Sequence, residues 1–362
     1  MNENIKYKFK LNSFTQIDFN QDIFGSQLFM LIKKNFIETI SEFIPEKIIM
    51  RKKNKNRICE NLFSHWFFWE AYNTNSYYHP LLLETKFNYI SLKNILSDYL
   101  NNDNEIIENK INLIITKINL EDKFTNALNL FKTDKNFTCT FKVYKYDKYK
   151  KIYINSNLLN DSFIISNQNS TKKLNKLSEK DFVALMYRYY VLSSNNNQLA
   201  VNPEKFKIIT PDIELFSSGF NNTCLKYCSL FPDIEHKLGS LGRFQDIEIY
   251  SGKYQINPPF QTCIIYDVLK KIKIWIDNAN VLNNKLEFHL FLPNWLNDKK
   301  NLDLKYSKYL VLDLIKDIKG TVKIKNINNT NFNYIDYWSD KIKNHTLPDT
   351  LYITINNKKI EY

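Results

Sequence analysis

Apolar residues recur at helical spacing from Leu28 to Ile44, and Pro45 ends the pattern. A second helix is predicted over Leu62 to Tyr72, where Trp66, Phe67, Phe68 and Trp69 crowd together as core material. Between Thr138 and Ile154 the period changes to two. β-Branched and aromatic residues alternate with polar ones, predicting a hairpin that turns through Tyr146-Asp147-Lys148. Asn167 to Lys176 is polar and low in complexity, and reads as a linker. Ser178 and Asp181 then have capping-box-like spacing before an apolar-periodic helix that runs to Leu192.

Beyond Asn195-Asn196-Asn197 short apolar strands alternate with helices. Strands are predicted at Ile213 to Phe216, Phe244 to Ile249, Lys253 to Ile256, Lys285 to Leu292 and Leu351 to Ile355, with Tyr309 to Leu314 a further candidate. Helices are predicted at Asn222 to Ser229 and Thr262 to Asn278. This alternation defines an α/β class in which ligands bind beyond the carboxyl ends of the strands. The chain divides into a mixed, largely helical domain over 1–170, which supports the second or binds RNA, and an α/β domain over 178–362.

Composition narrows the picture modestly. The chain has 362 residues, 44% hydrophobic and 24% charged, enough for two domains and a sizeable core. A formal charge of +12 points to a polyanionic partner such as nucleic acid, although lysine enrichment in a low-GC genome gives the same number. Aromatic residues make up 15%, so rings interleaved with lysines can stack on bases. The basic run Arg51 to Arg57 reads either as a solvated loop or as a phosphate-contacting patch. Five cysteines form no disulfide framework, and Cys224 and Cys228 lack the second pair that a zinc site needs. No apolar run is long enough to span a bilayer and the first ten residues are polar, so an intracellular protein without a membrane partner is expected.

The chemistry concentrates at Asn257-Pro258-Pro259-Phe260, directly after a short strand. Two prolines fix φ and remove two N–H donors, leaving bare carbonyls beside an amide side chain and a flat ring. Such a turn either serves only as a rigid strand-to-helix connection or grips a planar amine. As a grip, the Asn257 side-chain oxygen and the Pro258 carbonyl accept the two N–H groups of an exocyclic amine. That favours pyramidalisation and stabilises the charge developing on nitrogen. Phe260 stacks on the ring and fixes its geometry. Upstream, Glu214-Leu215-Phe216-Ser217-Ser218-Gly219 puts small residues directly after a strand, a turn that lets a cofactor approach the backbone. It lacks a full G-x-G-x-x-G and no P-loop lysine follows, which disfavours NAD and ATP. Asp233 and Asp246 are placed to accept from a ribose diol or an exocyclic amine, or else to cap turns. In this order the loops fit an S-adenosyl-L-methionine-dependent amino-methyltransferase. The five histidines have no metal-ligand spacing, and no metal is required.

From Phe182 onward the chain resembles the cap-specific adenosine N6-methyltransferases of the phosphorylated-CTD-interacting-factor family. The match rests on Phe182 to Tyr190, Glu214 to Asn221, Tyr227 to Asp233, Gly239 to Gly242, Gly252 to Phe260 and Phe291 to Trp295. The resemblance implies a Rossmann-like methyltransferase sheet. It also implies methyl transfer from S-adenosyl-L-methionine to N6 of the cap-adjacent adenosine, preferentially 2′-O-methylated, in capped mRNA with A as first transcribed nucleotide. Asn257, Pro258, Pro259 and Phe260 carry over as catalytic residues, and Phe216, Ser217 and Asn221 as the cofactor turn. Gly219 stands where the family has proline, Leu241 where it has arginine, and Thr262-Cys263 where it has an acidic pair. The WW domain of animal members has no counterpart, so WW-mediated polymerase binding is not expected. Localisation follows as nuclear by resemblance, or cytoplasmic for an enzyme of a cytoplasmic virus. Trp295, Tyr337 and Trp338 are candidates for stacking a methylated guanine, or core residues. The alternatives are N6-adenine methylation on internal RNA or DNA, and a catalytically inactive RNA-binding subunit of the same fold.

Overall fold

The computed structural model describes residues 5–7, 18–44, 55–73, 79, 92–93, 96, 104–147, 149–166, 174–192, 199–201, 209–294, 313–327, 334–336, 344–345 and 350–357. It is a mixed α/β structure in which six of the described strands form one sheet.

Strand β1 (Ile5–Tyr7) is followed by helices α1 (Phe19–Ser41) and α2 (Lys55–Asn73). Helix α1 starts nine residues before Leu28, because the Asp18 side chain caps the Gln21 N–H at 3.0 Å. Periodicity alone conceals this first turn, since Asp22, Ser26 and Gln27 are polar yet buried. Helices α3 (Asn104–Ile118) and α4 (Leu120–Thr133) form in a stretch for which no element is predicted above, and left-handed Asn119 (φ 45°) separates them. The predicted hairpin forms as β2 (Cys139–Lys145) and β3 (Tyr149–Ser156), joined by β4 (Asp161–Ser166) in an antiparallel sheet. Helix α5 (Glu179–Leu192) follows, with the Ser178 hydroxyl accepting the Asp181 N–H at 3.1 Å. One hydrophobic core runs through α1 to α5 and the β2-β3-β4 sheet, from Phe29, Phe63 and Trp66 to Phe163 and Tyr187, and reaches Phe231. Among the described residues, no helix is long and apolar enough to cross a membrane.

The main sheet has strands β6 (Ile213–Glu214), β7 (Lys226–Tyr227), β9 (Gly252–Ile256), β10 (Leu286–Pro293), β11 (Gly320–Ile327) and β14 (Thr350–Asn357). Their spatial order is β11-β14-β10-β9-β6-β7. The pairs β7·β6, β6·β9 and β9·β10 are parallel, whereas β14 is antiparallel to both β10 and β11. Beside β7, Ser240 makes a further parallel bridge to Tyr227. Gly239 allows this approach, with φ at +109° and the Leu225 carbonyl 2.3 Å from where a Cβ would stand.

Helix α7 (Thr262–Leu282) lies on one face of the sheet. Its buried Ile265, Leu269, Ile272 and Trp275 pack with Tyr254, Ile256, Phe288 and Leu290. Each such side chain contributes about 1.5–3 kcal/mol by leaving water. On the opposite face, β5 (Leu199–Val201), β12 (Tyr334–Asp336) and β13 (Asn344–His345) form a small sheet, and Val201 and Tyr334 pack there with Phe291.

Three local expectations are corrected. Asn222 to Ser229 is not a helix: its Cys228 N–H pairs with the Glu214 carbonyl at 2.8 Å, and Leu225 is 83% exposed. Apolar residues four apart share a face in a strand as well as in a helix, so Cys224 and Cys228 do not separate the two. Phe244 to Asp246 is a 3-10 turn, and only β8 (Ile247–Ile249) is extended, pairing with β1. Asp313 and Leu314 are helical rather than part of a strand, while 309–312 lie outside the described residues.

Candidate functional site

Strand order reverses between β6 and β9, so the chain leaves these neighbouring strands in a crevice at their carboxyl ends. Glu214 is in register with Gln255, and the Leu215 N–H donates to the Gln255 carbonyl at 2.9 Å. The 216–221 turn and the Asn257 turn therefore begin side by side. Sequence placed both at strand ends; only the sheet order makes them neighbours.

At the Asn257 turn, the Oδ1 atom of Asn257 is buried and has no hydrogen-bond partner among the described residues. A buried orphan acceptor costs about 1–3 kcal/mol, so a fold keeps one where something else pays that cost. The Gln261 N–H donates to the Pro259 carbonyl at 2.7 Å, closing the turn one carbonyl beyond Pro258. The Gln261 Oε1 atom is a second buried acceptor without a partner among the described residues. Phe260 is half-buried and meets Tyr334 edge-on, with centroids 6.2 Å apart and planes at 85°. Nothing in the sequence ties Tyr334 to Phe260, since it lies 74 positions later, in a short strand with no motif of its own.

The opposite turn is braced from within. Asn221 Oδ1 accepts from the Ser217 hydroxyl at 2.9 Å, the Ser218 N–H at 2.8 Å and the Ser218 hydroxyl at 3.0 Å. Asn221 thus shapes the loop, leaving the Phe216 ring, half-buried and 4.7 Å from Phe244, at its mouth. The Gly219 N–H donates to Glu235 Oε1 at 2.6 Å, while Glu235 Oε2 accepts from the Tyr189 hydroxyl at 2.9 Å and the Phe231 N–H at 3.2 Å. Glu235 is fully buried, and burial pushes its carboxyl up to about 7 against the lowering effect of these donors. No motif in the sequence marks this glutamate as the link that joins the 216–221 turn and the turn after β7 to α5.

Asp233 is in the short helix α6 (Pro232–Glu235) after β7. Its Oδ2 pairs with Arg188 Nη1 at 2.7 Å, and its buried Oδ1 has no partner among the described residues. Arg188 also grips Asp22 of α1 through its Nε at 3.0 Å. Burial works to raise the Asp22 carboxyl, but Arg188 and His79 outweigh it and hold it well below the carboxylate range. Asp246 Oδ2 accepts the Arg243 N–H at 3.1 Å, a turn-capping contact. Nearby, Lys271 Nζ donates to the carbonyls of Phe244, Gln245 and Ile247 and fixes that loop on α7.

Trp295, Tyr337, Trp338 and 51–54 lie outside the described residues, as do the side chains of Arg57, Thr262 and Cys263. Among the described residues no cluster of His, Cys, Asp and Glu could hold a metal. The described cysteines Cys59, Cys139, Cys224 and Cys228 are free thiols.

These features define an α/β protein in which two turns leave neighbouring strand ends, one carrying Phe216 and the other Phe260 and buried acceptors without a partner among the described residues. Residues 148–320 match the family model described as "Phosphorylated CTD interacting factor 1 WW domain". Those residues include α5, α7 and the parallel strands, and the three-stranded sheet of 139–166 holds no tryptophan. The chain is 30% identical over 82 residues to the human "mRNA (2'-O-methyladenosine-N(6)-)-methyltransferase" and, equally, to its mouse counterpart. The matched stretch covers 23% of this chain and 11% of each relative. Over residues 148–320 the chain is therefore similar to the phosphorylated-CTD-interacting-factor family.

Proposed function

We propose that this chain is an mRNA cap-specific adenosine N6-methyltransferase acting on the adenosine next to the cap, with S-adenosyl-L-methionine as donor. The observation that carries the reading is the buried, unpartnered Asn257 Oδ1 at the end of β9, beside the 216–221 turn of β6. Parallel order β7-β6-β9-β10, extended by the Ser240 bridge, corresponds to the 3-2-1-4-5 arrangement of doubly wound nucleotide-binding sheets, which supports a Rossmann-like methyltransferase domain. The division into an N-terminal support domain and a methyltransferase domain belongs to the same reading.

The residues present fit the donor and the acceptor. Asn257 Oδ1, Gln261 Oε1 and Asp233 Oδ1 are buried acceptors without partners among the described residues, and an adenosine offers N–H and O–H donors. Phe216 and Ser217 open the turn against which the donor would sit, with Asp233 and Asp246 on the next two loops. Bound there, S-adenosyl-L-methionine supplies an electrophilic methyl on a sulfonium. Asn257 Oδ1 and the Pro258 carbonyl accept the two N–H groups of adenine N6, drawing its lone pair out of ring conjugation and stabilising positive charge on nitrogen. Pro259 stiffens the turn so that no reorganisation is needed. Phe260, held by Tyr334, orients the purine.

The test is incubation with labelled donor and capped RNAs beginning with A or G. Label confined to the A-start transcript supports the reading, and equal labelling of uncapped RNA overturns its cap specificity.

A further inference from the structure

The outer face of the β2-β3-β4 sheet carries tyrosines and lysines in alternation. Burial alternates along β2, so Lys142 and Tyr144 point outward while Phe141 and Val143 turn toward the core. Lys142 is in register with Tyr153, and Tyr144 with Lys151. Ring and cation therefore exchange places both along and across the strands. Beneath them Ile152, Ile154, Phe163 and Ile165 are at most 4% exposed, so the outward groups stand on a packed platform.

The rings are available to solvent: Tyr144 is 46% exposed and Tyr146 45%. Tyr144 meets Tyr153 edge-on at 5.4 Å, Tyr146 stacks on Tyr149 at 4.5 Å, and Lys151 Nζ stands 4.6 Å from the Tyr153 centroid. Charge on this sheet is one-sided. Residues 139–166 contain five lysines against two aspartates. One of these, Asp161, is turned inward to the hydroxyls of Tyr187 and Tyr190, at 3.2 and 3.5 Å.

We propose that this face binds single-stranded RNA, with bases stacking on Tyr144 and Tyr153 and phosphates meeting Lys142 and Lys151. An exposed sheet with interleaved rings and cations matches what an unpaired strand offers, flat π-faces at intervals along a polyanion. An acidic peptide would meet the lysines but leave the rings unused. The surface would hold the transcript body while its first nucleotides occupy the crevice at β6 and β9. That the strand is the substrate rests on the proposed function; the binding surface itself does not.

The test is fluorescence anisotropy with a 20-nucleotide 5′-fluorescein oligouridine, uncapped and without methyl donor, on the full chain. Tyr144→Ala with Tyr153→Ala should weaken binding about tenfold or more, whereas Tyr153→Phe keeps it. Lys142→Gln with Lys151→Gln should lower the slope of log affinity against log salt by about 1.4, roughly 0.7 for each phosphate contact. Thermal melting checks that each variant is folded, and the single exposed substitution Tyr144→Ser replaces the double variant if that one melts early. A loss under twofold, or equal competition by a poly-glutamate peptide, overturns the proposal. Methylation of capped RNA with unaltered binding by the variants would remove this surface and leave the enzyme. Surface-dependent binding without methylation would do the reverse.

Discussion

Arg188 Nη1 and Asp233 Oδ2 lie 2.7 Å apart, and the same guanidinium holds Asp22 on α1, so one buried arginine joins an N-terminal helix to the turn after β7. The arginine side chain is 1% exposed. Its planar fork serves two carboxylates that an ammonium could not hold with the same geometry. Arg188→Ala should destabilise the protein by about 3–5 kcal/mol, since two carboxylates lose their counter-charge and one is fully buried. Arg188→Lys should recover only part of that. Chemical denaturation of the three proteins decides it; equal midpoints would show that the pairing contributes nothing.

Asn257 separates stability from activity. Its Oδ1 has no partner to lose among the described residues, so Asn257→Ala should leave the unfolding free energy unchanged or raise it by about 1 kcal/mol. Turnover should nevertheless be abolished. Calorimetric melting beside a methyl-transfer assay checks both, and full activity in the folded variant would remove Asn257 from the mechanism.

For Phe260 the controlling contact is Tyr334. Phe260→Ala should reduce turnover strongly and Phe260→Tyr less so. Tyr334→Ala should produce a milder loss, about tenfold, by releasing the ring from its edge-on neighbour. If Tyr334→Ala behaves like wild type in kcat and KM, the ring is positioned by the turn alone.

Glu235 makes stability fall as pH rises. With its folded value near 7 and an ordinary value of 4.5, the folded protein keeps a proton that the unfolded chain releases between these limits. Its contribution is complete below pH 4.5 and is lost as pH passes 7, about 3 kcal/mol in all. Glu235→Gln should flatten that part of the stability profile while other groups keep theirs. An unchanged slope between pH 4.5 and 7.5 would show that the carboxyl does not titrate there.

Legibility in the sequence followed the range of the interaction. The 139–154 hairpin, the Ser178 cap, the Lys253 to Ile256 strand and the start of the Thr262 helix depend on neighbours within a few residues, and each was visible. Helix α7 runs only one turn past its expected end, to left-handed Asn283. The failures share the opposite cause. Asp22 and Gln27 are polar by type and buried by partners far along the chain, which concealed the start of α1. Tyr334 and Glu235 belong to no motif themselves, and their roles come from contacts 74 and 16 positions away.

The sequence by itself determined the rigid Asn257-Pro258-Pro259-Phe260 turn, because proline fixes φ and removes donors wherever it stands. It also determined the order of the short loops ahead of that turn and the family resemblance they carry. Only the tertiary structure decided that this turn opens beside Phe216, that Asn257 Oδ1 has no partner among the described residues, and that Asn221 is an internal brace. Strand order and burial are set by non-local packing, which no periodicity along the chain encodes.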